Sequence, residues 1–259
     1  MNNVNSSYRS FRNLFERGIT VRDISEPLAS FDKNSPIEQV LNFMNSKRFD
    51  IVGVRDIGHI IGYAKREDLT SGLIGDFVVS FKPEDIIQDH EPLFNALDCL
   101  KNRRWTIVNI LNHTGGIITR GDLQKQPVRM WLFGIISILE MQLSEQISRE
   151  FKEAEWLSLI NNDREEKARC IFIARERDGI DINLLECIQI CDKSTIIQKS
   201  KNLRDAFGLT SKKETRELFN FIQKLRDSLA HSNQLVSASW PEYVLCAEKI
   251  GELLTNVEI

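Results

Sequence analysis

SPIEQVLNFMNSKRFDIV at Ser35–Val52 and EPLFNALDCLKNRRWTIV at Glu91–Val108 are two copies of one pattern, separated by a constant offset of 56 residues. Each copy opens near a proline, which is favoured in the first turn of a helix, and then places apolar residues at helical spacing. These apolar residues are Ile37, Val40, Leu41 and Met44 in the first copy and Leu93, Ala96, Leu97 and Leu100 in the second. A short strand follows in each copy, DIVGV and then TIVNI. The sequence therefore predicts an internal duplication.

Each copy continues through a predicted hairpin. The segments are IGHIIGYAKREDL, which ends at Leu69, and NHTGGIITRGDL, which ends at Leu123. The repeated unit is thus strand, helix, strand, strand, helix. An open solenoid needs three or more such units, whereas two copies can pack sheet against sheet into one closed module. We expect this module over residues 17–126, after a polar lead-in at residues 1–16.

The repeat resembles a tandem pair of CBS domains, an intracellular sensor module that commonly binds adenosine nucleotides. GGIITRGDL has that family's pattern of glycine, apolar strand, Thr or Ser, and Asp three residues later. The resemblance implies that Asp122 accepts hydrogen bonds from the ribose hydroxyls and that Thr119 donates one to a phosphate. The first copy keeps Asp68 but has Lys65 where Thr or Ser is usual, and a lysine meets phosphate as a point charge.

Three further residues are candidates for nucleotide binding. Arg104 and Thr106 lie where the cleft between the copies is expected, and Arg120 lies within the second motif. The expected ligand is AMP, ADP or ATP, bound chiefly at the second copy, with one or two sites occupied. The alternative is a pair of domains that only packs and dimerises, with Asp68 and Asp122 capping the turns that follow them.

The second half of the sequence has helical periodicity from Pro127 onward and predicts an all-α bundle of about five helices over residues 127–259. The segments are PVRMWLFGIISILEMQLSEQISREF, DREEKARCIFIARERDG, INLLECIQICDKSTIIQKSKNLRDAFG, SKKETRELFNFIQKLRDSLAH and PEYVLCAEKIGELLTNVE. Gly179 and Gly208 are predicted helix stops, and Ser211 with Glu214 is a predicted capping box. The predicted fold class is α+β, a tandem βαββα pair followed by a helical bundle.

The predicted penultimate helix ends in LRDSLAHSN at Leu225–Asn233. Its apolar stripe consists of Leu218, Ile222, Leu225 and Leu229. Arg226 lies at the edge of that stripe, where a guanidinium needs an ionic partner, water or a bound anion. On a straight helix Arg226 and His231 are about 140° apart. They can reach one ligand only if the helix breaks near Ala230 or if two copies of the helix meet in a two-fold dimer.

An arginine followed five positions later by a histidine at a helix end resembles the RxxxxH motif of HEPN domains, which are dimeric α-bundles that cut RNA without a metal. The resemblance implies that His231 takes the proton of a ribose 2′-hydroxyl while Arg226 stabilises charge on the adjacent phosphate. Asp227 would orient the histidine, and Ser232 and Asn233 would hold the RNA backbone. The product would be a cyclic phosphate, made at a site shared by two protomers.

Two other functions remain open for the helical half. It could be a nonenzymatic sensor whose bundle dimerises or binds a partner, or a protein that holds RNA on a basic face without cutting it. The residues of that predicted face are Lys199, Lys201, Arg204, Lys212 and Lys213. The segment LRDAFG at 203–208 repeats Leu-Arg-Asp without the histidine, so the tripeptide alone is not diagnostic.

The composition predicts a cytoplasmic protein with no membrane segment. The net charge of -3 with 27% charged residues argues against a polybasic protein, so any contact with RNA is left to local patches. The five cysteines form no CxxC pair and fit reduced thiols rather than metal ligands. The N-terminal residues lack the apolar core of a signal peptide, and the longest apolar run, Met130–Leu139, is much shorter than the roughly 18 residues of a spanning helix.

Overall fold

The computed structural model describes residues 13–14, 17–230 and 240–257. The chain divides into two compact units. The tandem unit has residues 17–128 as its described part, and the helical unit contains residues 129–230 and 240–257. All the strands named below lie in the tandem unit, and the helical unit follows it, so the predicted α+β class is confirmed.

The tandem unit contains two sheets built in the same way. The strands are β1 (Glu26–Pro27), β2 (Ser30–Asp32), β3 (Ile51–Asp56), β4 (His59–Lys65), β5 (Ile86–Gln88), β6 (Trp105–Ile110) and β7 (His113–Thr119). One sheet has the order β2-β3-β4 and the other β1-β7-β6-β5. In each copy a short strand pairs in parallel with the first strand of an antiparallel hairpin. The predicted duplication is therefore confirmed, although the short strands β1, β2 and β5 carry too few residues for a periodic signal.

One helix in each copy covers the apolar positions that the repeat predicted. These helices are α1 (Ile37–Lys47) and α2 (Leu93–Asn102), with prolines at the N-cap positions. All of the predicted apolar residues are buried except Leu41, which is half-buried. The predicted closing helix of each copy is only a 3-10 turn, Arg66–Asp68 and Arg120–Gln124. Gly72, with φ +101°, lies soon after the first turn, and the extended Lys125 ends the second.

The two copies exchange segments across the tandem unit. Strand β1 precedes the first copy in the sequence but pairs antiparallel with β7 of the second copy, with Glu26 opposite Ile117. In the other direction Val79, from the segment that leads into the second copy, forms two backbone hydrogen bonds with Tyr63 of β4, at 2.8 and 3.0 Å. Each sheet is thus extended by chain that precedes the other copy.

The helical unit consists of packed helices around an apolar core. The helices are α3 (Gln126–Glu150), α4 (Asn162–Arg177), α5 (Ile190–Lys199), α6 (Lys201–Ala206), α7 (Lys212–Ala230) and α8 (Trp240–Val257). The first three residues of helix α3 precede the boundary between the units. Helix α5 packs on α7, and α7 packs on α8. Within the described residues, no helix combines the length and the apolar composition that a bilayer crossing requires.

The prediction of one helix over residues 182–208 was wrong. The segment forms a 3-10 turn at Leu184–Cys187 and then the two helices α5 and α6. The break lies at Ser200, which is extended and whose hydroxyl accepts a hydrogen bond from the Leu203 amide. A serine that caps a new helix competes with continuation of the previous one, and apolar periodicity does not register that competition.

Helix α7 begins as predicted from its N-terminal cap, with one change in its buried face. Ser211 accepts a hydrogen bond from the Glu214 amide, and the Glu214 carboxylate accepts from Thr210 rather than from Ser211. The buried stripe passes through Phe219 instead of the predicted Leu218, which is only half-buried. The full stripe is Thr215, Phe219, Ile222, Leu225 and Leu229. The predicted glycine stops are also confirmed, since Gly179 and Gly208 have φ of +74° and +69°.

Equivalent glycines in the two hairpins predict different sensitivities to substitution. A Cβ added at Gly62 would lie 2.5 Å from the Val79 carbonyl oxygen, whereas at Gly116 the nearest atom would be Val108 Cβ at 3.0 Å. We expect Gly62→Ala to lower the free energy of unfolding by about 1–3 kcal/mol, because backbone must move, and Gly116→Ala to cost less. Urea denaturation of both variants measures the difference. Equal losses would contradict this account of the segment exchange.

Candidate functional site

The tandem unit contains an open cleft of about 670 Å³, which we call the Lys65 cleft. Lys65 at the end of β4 forms one side, Arg104 and Trp105 at the start of β6 form another, and Lys82 reaches it from the segment before β5. The complete lining is Asp50, Ile51, Tyr63, Lys65, Arg66, Glu67, Lys82, Glu84, Asp85, Arg103, Arg104 and Trp105. The segment exchange brings these elements together, because residues 79–85 run beside the hairpin of the first copy.

The cations of the Lys65 cleft fall into two groups. Arg66 pairs with Asp50 at 2.7 Å, and Arg103 pairs with Asp85 at 3.0 Å. The other three cations, Lys65, Lys82 and Arg104, form no ion pair with any residue that the structure describes. Glu67 and Glu84 also line the cleft, so the lining as a whole carries a net charge of +1. The guanidinium of Arg104 and the ammonium groups of Lys65 and Lys82 can contact phosphate oxygens.

An aromatic wall stands beside these cations. The rings of Tyr63 and Trp105 meet edge to face with centroids 5.0 Å apart, and Phe81 stacks on Tyr63 at 5.6 Å. Burial raises the pKa of the Tyr63 hydroxyl, Asp85 and Asp68 raise it further, and Lys65 lowers it in part. The tyrosine therefore stays protonated at neutral pH and keeps a hydrogen-bond donor. A planar ring and a phosphate group could both be held here.

The sequence-predicted residues near the Lys65 cleft are placed differently from one another. Lys65 and Arg104 line the cleft together, as expected for a shared site. Asp68 is exposed just beyond the lining, and its charge acts on Tyr63. Thr106 is fully buried, and its hydroxyl donates to the Asp85 carbonyl at 3.1 Å, so it does not face the cleft. Thr106 therefore holds the segment that carries Lys82 and is not placed to contact a ligand in the cleft.

The predicted pair in the second copy is already engaged within the chain. The Thr119 amide and hydroxyl donate to Asp122 Oδ2 at 2.7 and 2.8 Å, and Lys125 Nζ lies 2.9 Å from Asp122 Oδ1. Lys125 also pairs with Glu26. Burial opposes protonation of Lys125, but its bonds to Glu26 and Asp122 outweigh burial and raise its pKa. Asp122 thus caps its own turn, the structural alternative that the sequence left open.

Two other features separate the second copy from the first. Glu26, which pairs with Ile117 of β7, adds a carboxylate beside Lys125 at the second copy. Arg120 donates from Nε and Nη2 to the carbonyls of Leu100, Lys101 and Arg103, at 3.0–3.2 Å, and so caps the end of α2. Arg120 was expected at the nucleotide; its guanidinium is instead occupied by backbone.

In the helical unit, Arg226 finds its partner within the same chain. Its Nε lies 3.7 Å from Glu140 Oε2 of α3, and Lys193 Nζ of α5 lies 3.4 Å from Oε1 of the same carboxylate. Lys193 is buried, and burial lowers its pKa, while Glu140 acts in the opposite direction. One carboxylate thus serves two cations. The adjacent Asp227 is exposed and forms no ion pair with the described residues.

Arg129 of helix α3 contacts the last described turn of helix α7. Arg129 is buried, and its Nη2 donates to the Ser228 and Leu229 carbonyls at 3.2 and 3.0 Å, which satisfies acceptors in the last described turn. The described part of α7 stops at Ala230. His231, Ser232 and Asn233 lie outside the described residues, so the geometry between Arg226 and His231 stays a prediction.

The cations of the predicted basic face mostly form contacts with nearby residues of the same unit. Lys199 donates to the Leu159 carbonyl at 2.7 Å, Lys201 pairs with Asp205 at 3.3 Å, and Arg204 donates to the Ser200 carbonyl at 3.1 Å. These contacts cap helices or join neighbouring turns. A continuous RNA-binding face of free cations is therefore not formed by these three residues, because the backbone and an aspartate already hold them.

Sequence reasoning missed the residues that complete both sites. Lys82 lies in an irregular segment with no motif. Glu140 directly follows the longest apolar run, so from the sequence it reads as the polar residue that ends a hydrophobic stretch. Lys193 carried a readable signal, because it shares the buried face of α5 with Ile190, Ile196 and Ile197. A lysine within a buried stripe requires a carboxylate partner.

Solved structures of CBS-domain proteins are similar to this chain. CBSX2 in complex with AMP is 20% identical over 41% of this chain and 93% of its own, with a TM-score of 0.36. The CBS domain of the bacterial CNNM/CorC family Mg²⁺ transporter in complex with ATP is 18% identical over 48% and 96%, with a TM-score of 0.36. A CBS domain-containing protein of unknown function from Bacillus anthracis str. Ames Ancestor is 15% identical over 42% and 91%, also at 0.36.

No protein-family model matches the chain, and no curated protein matches it.

The shared carboxylate predicts a specific pattern of stability. Glu140→Gln leaves the buried Lys193 without its counter-ion, so we expect a loss of about 2–3 kcal/mol in the free energy of unfolding at pH 7. Lys193→Met removes the buried charge and keeps apolar volume, so it should cost less than about 1 kcal/mol. The double variant should recover most of the loss. Urea denaturation of the four proteins measures this cycle.

The pH dependence of Glu140→Gln serves as its control. Because the pKa of Lys193 in the folded chain is lowered below 10.5, the unfolded chain binds more protons as the pH approaches that value. The variant should therefore regain stability as the pH rises from 7 toward 10. A loss that is independent of pH and unaffected by Lys193→Met would exclude the ionic explanation.

Proposed function

We propose that the tandem unit binds a phosphate-bearing adenine nucleotide in the Lys65 cleft. The observation that carries the proposal is the set of three cations, Lys65, Lys82 and Arg104, that have no ionic partner among the described residues and face one cleft with an aromatic wall. Phosphate groups need such charges, and a nucleobase needs a planar apolar surface. The choice of adenine rests on the sequence resemblance to tandem CBS domains.

Each residue of the cleft has a distinct task in this proposal. Lys65 and Lys82 meet phosphate oxygens as point charges, and Arg104 can form a two-pronged contact. Trp105 offers its face to the base, while the Tyr63 hydroxyl donates a hydrogen bond. We place the nucleotide here rather than at Thr119 and Asp122, where the sequence pattern favoured it, because Asp122 is held by Lys125 and Glu26 would oppose a phosphate.

Isothermal titration with AMP, ADP and ATP tests the cleft. Lys65→Ala and Arg104→Ala should each weaken nucleotide binding by about tenfold or more, since each removes a charge-assisted contact worth roughly 1.5–3 kcal/mol. In wild type, ligand at about 100 times its dissociation constant should stabilise the fold by roughly 2.7 kcal/mol. Arg66→Ala is the matched control, because Arg66 lines the same cleft but is paired with Asp50. It should bind nearly as wild type does.

Two results would contradict the assignment of the nucleotide to the Lys65 cleft. If Asp122→Ala abolishes binding while Lys65→Ala and Arg104→Ala retain it, the ligand occupies the second copy. If wild type binds none of the three nucleotides at millimolar concentration, the cleft is not a nucleotide site.

A second candidate function belongs to the helical unit, metal-independent cleavage of RNA. The observation that favours it is the contrast between the two Leu-Arg-Asp segments. Arg204 is held by backbone carbonyls, whereas the Arg226 side chain is 38% exposed and, among the described residues, forms one ion pair, to Glu140 at 3.7 Å. A guanidinium held so loosely can turn to a phosphate. His231 follows five positions later and supplies the base that 2′-hydroxyl attack requires.

The proposed cleavage needs the proton and the charge to be handled by two groups. Neutral His231 accepts the 2′-hydroxyl proton as the oxygen attacks phosphorus, the 5′-oxygen leaves and takes up a proton, and a 2′,3′-cyclic phosphate remains. Arg226 stabilises the negative charge on the phosphate oxygens. Because the two residues are about 140° apart on a straight helix, the proposal places them in a composite site of a homodimer.

Regulation of this cleavage by the nucleotide would complete the function. A ligand changes the activity only if it binds two arrangements of the protein with different affinity, and coupling of about 1–3 kcal/mol corresponds to roughly 5- to 150-fold. Helix α3 is the covalent connection between the units, since it begins before the boundary and carries Glu140. If the helical unit does not cut RNA, the nucleotide sensor remains, with a bundle that dimerises or binds RNA or protein.

Incubation of purified protein with total RNA in excess chelator tests the second candidate. Wild type should degrade RNA to fragments with cyclic phosphate ends, and Arg226→Ala and His231→Ala should each lower the rate by at least about 100-fold, since each removes a group that acts in the transition state. Arg204→Ala, in the other Leu-Arg-Asp segment, is the matched control and should cut normally. Intact RNA with wild type, or cleavage that survives both substitutions, would exclude this function and leave nucleotide binding untouched.

A further inference from the structure

Helix α4 is the most exposed helix of the helical unit. Within α4, which the structure describes in full, Ala168 is the only buried residue, and Ile173 is 62% exposed. The helix is held through Arg164, which donates to Gln189 Oε1 at 3.2 Å and lies 3.4 Å from Asp192 Oδ1. These contacts fix which side of α4 points outward.

A line of three residues follows that outward side, and we call it the α4 stripe: Asp163, Cys170 and Arg177. Successive members are seven residues apart, so they are about 10.5 Å apart along the helix and turn by only about 20° per step. All three are exposed, and none forms an ion pair or hydrogen bond with the described residues. A groove of about 600 Å³, lined in part by Asp163 and Cys170, runs beside the stripe.

We infer that the α4 stripe is the docking surface for a second copy of this chain, with the two α4 helices antiparallel and a two-fold axis at Cys170. An antiparallel arrangement about Cys170 brings Asp163 of each protomer to Arg177 of its partner, because both lie seven residues from the axis. A parallel arrangement would oppose like charges and is disfavoured.

The inference stands apart from the proposed nucleotide and RNase functions, because the stripe contains neither the Lys65 cleft nor Arg226. It is a different interface from the one that the sequence predicted, in which two copies of the helix that carries Arg226 meet. Equal distances on either side of one residue make the surface self-complementary, as an isologous interface requires. Asp163 near the N-terminus and Arg177 near the C-terminus of α4 also interact favourably with the helix dipole. The test must therefore separate an effect on helix stability from an effect on dimerisation.

Sedimentation equilibrium of the full chain tests the charge pairing. Wild type should dimerise, and Asp163→Arg or Arg177→Asp should each weaken the dimer at least tenfold, which corresponds to about 1.4 kcal/mol. The exchanged double variant Asp163→Arg with Arg177→Asp should restore dimerisation. Glu165→Arg is the control for a reversed charge in the first turn of α4, because Glu165 lies about 150° away from the stripe and pairs with Arg169 of its own helix. It should dimerise as wild type does.

Cross-linking supplies a second readout that does not depend on affinity. Mild oxidation or a short bismaleimide should join two chains through Cys170, and Cys170→Ser should abolish the product while Cys99→Ser does not. If the wild-type protein remains monomeric at high concentration, the inference is wrong. A dimer that Asp163→Arg and Glu165→Arg affect equally, or one that Cys170 fails to cross-link, would contradict it as well.

Discussion

The exchange of segments between the two copies is the constraint on which the tandem unit depends. Strand β1 pairs with β7, and Val79 pairs with Tyr63 of β4, so each sheet is completed by chain that precedes the other copy. Neither copy can satisfy its sheet edge by itself, and an unpaired edge exposes backbone donors and acceptors. The two copies therefore form one module, and the crossing segment that joins them forms one wall of the Lys65 cleft.

The duplicated framework has diverged in charge. Lys82 adds a cation without an ionic partner among the described residues to the Lys65 cleft, whereas Glu26 pairs with Lys125 at the second copy. Lys125 reaches Asp122 as well, so the second motif is neutralised from within. One backbone plan thus yields an open cationic cleft and a closed ionic cluster. The difference depends on a few side chains that are not part of the hydrophobic core.

The helical unit makes a similar distinction between two identical tripeptides. Arg204 and Arg226 both follow leucine and precede aspartate, but Arg204 caps helical carbonyls and Arg226 meets the carboxylate of Glu140. Glu140 must also balance the buried Lys193, so one carboxylate is shared by two cations, and Glu186 acts on Lys193 as well.

The sequence by itself determined the duplication, the α+β class, the two repeat helices and the glycine stops, because these follow from local periodicity and from backbone conformations that few residues adopt. It did not locate the break at Ser200, the commitment of Arg120 to helix carbonyls or the burial of Thr106. The functional roles of Arg226 and His231 remain predictions. Only the tertiary structure decided which cations are free, because a charge is paired or unpaired according to carboxylates and carbonyls that folding brings within about 4 Å from distant parts of the chain.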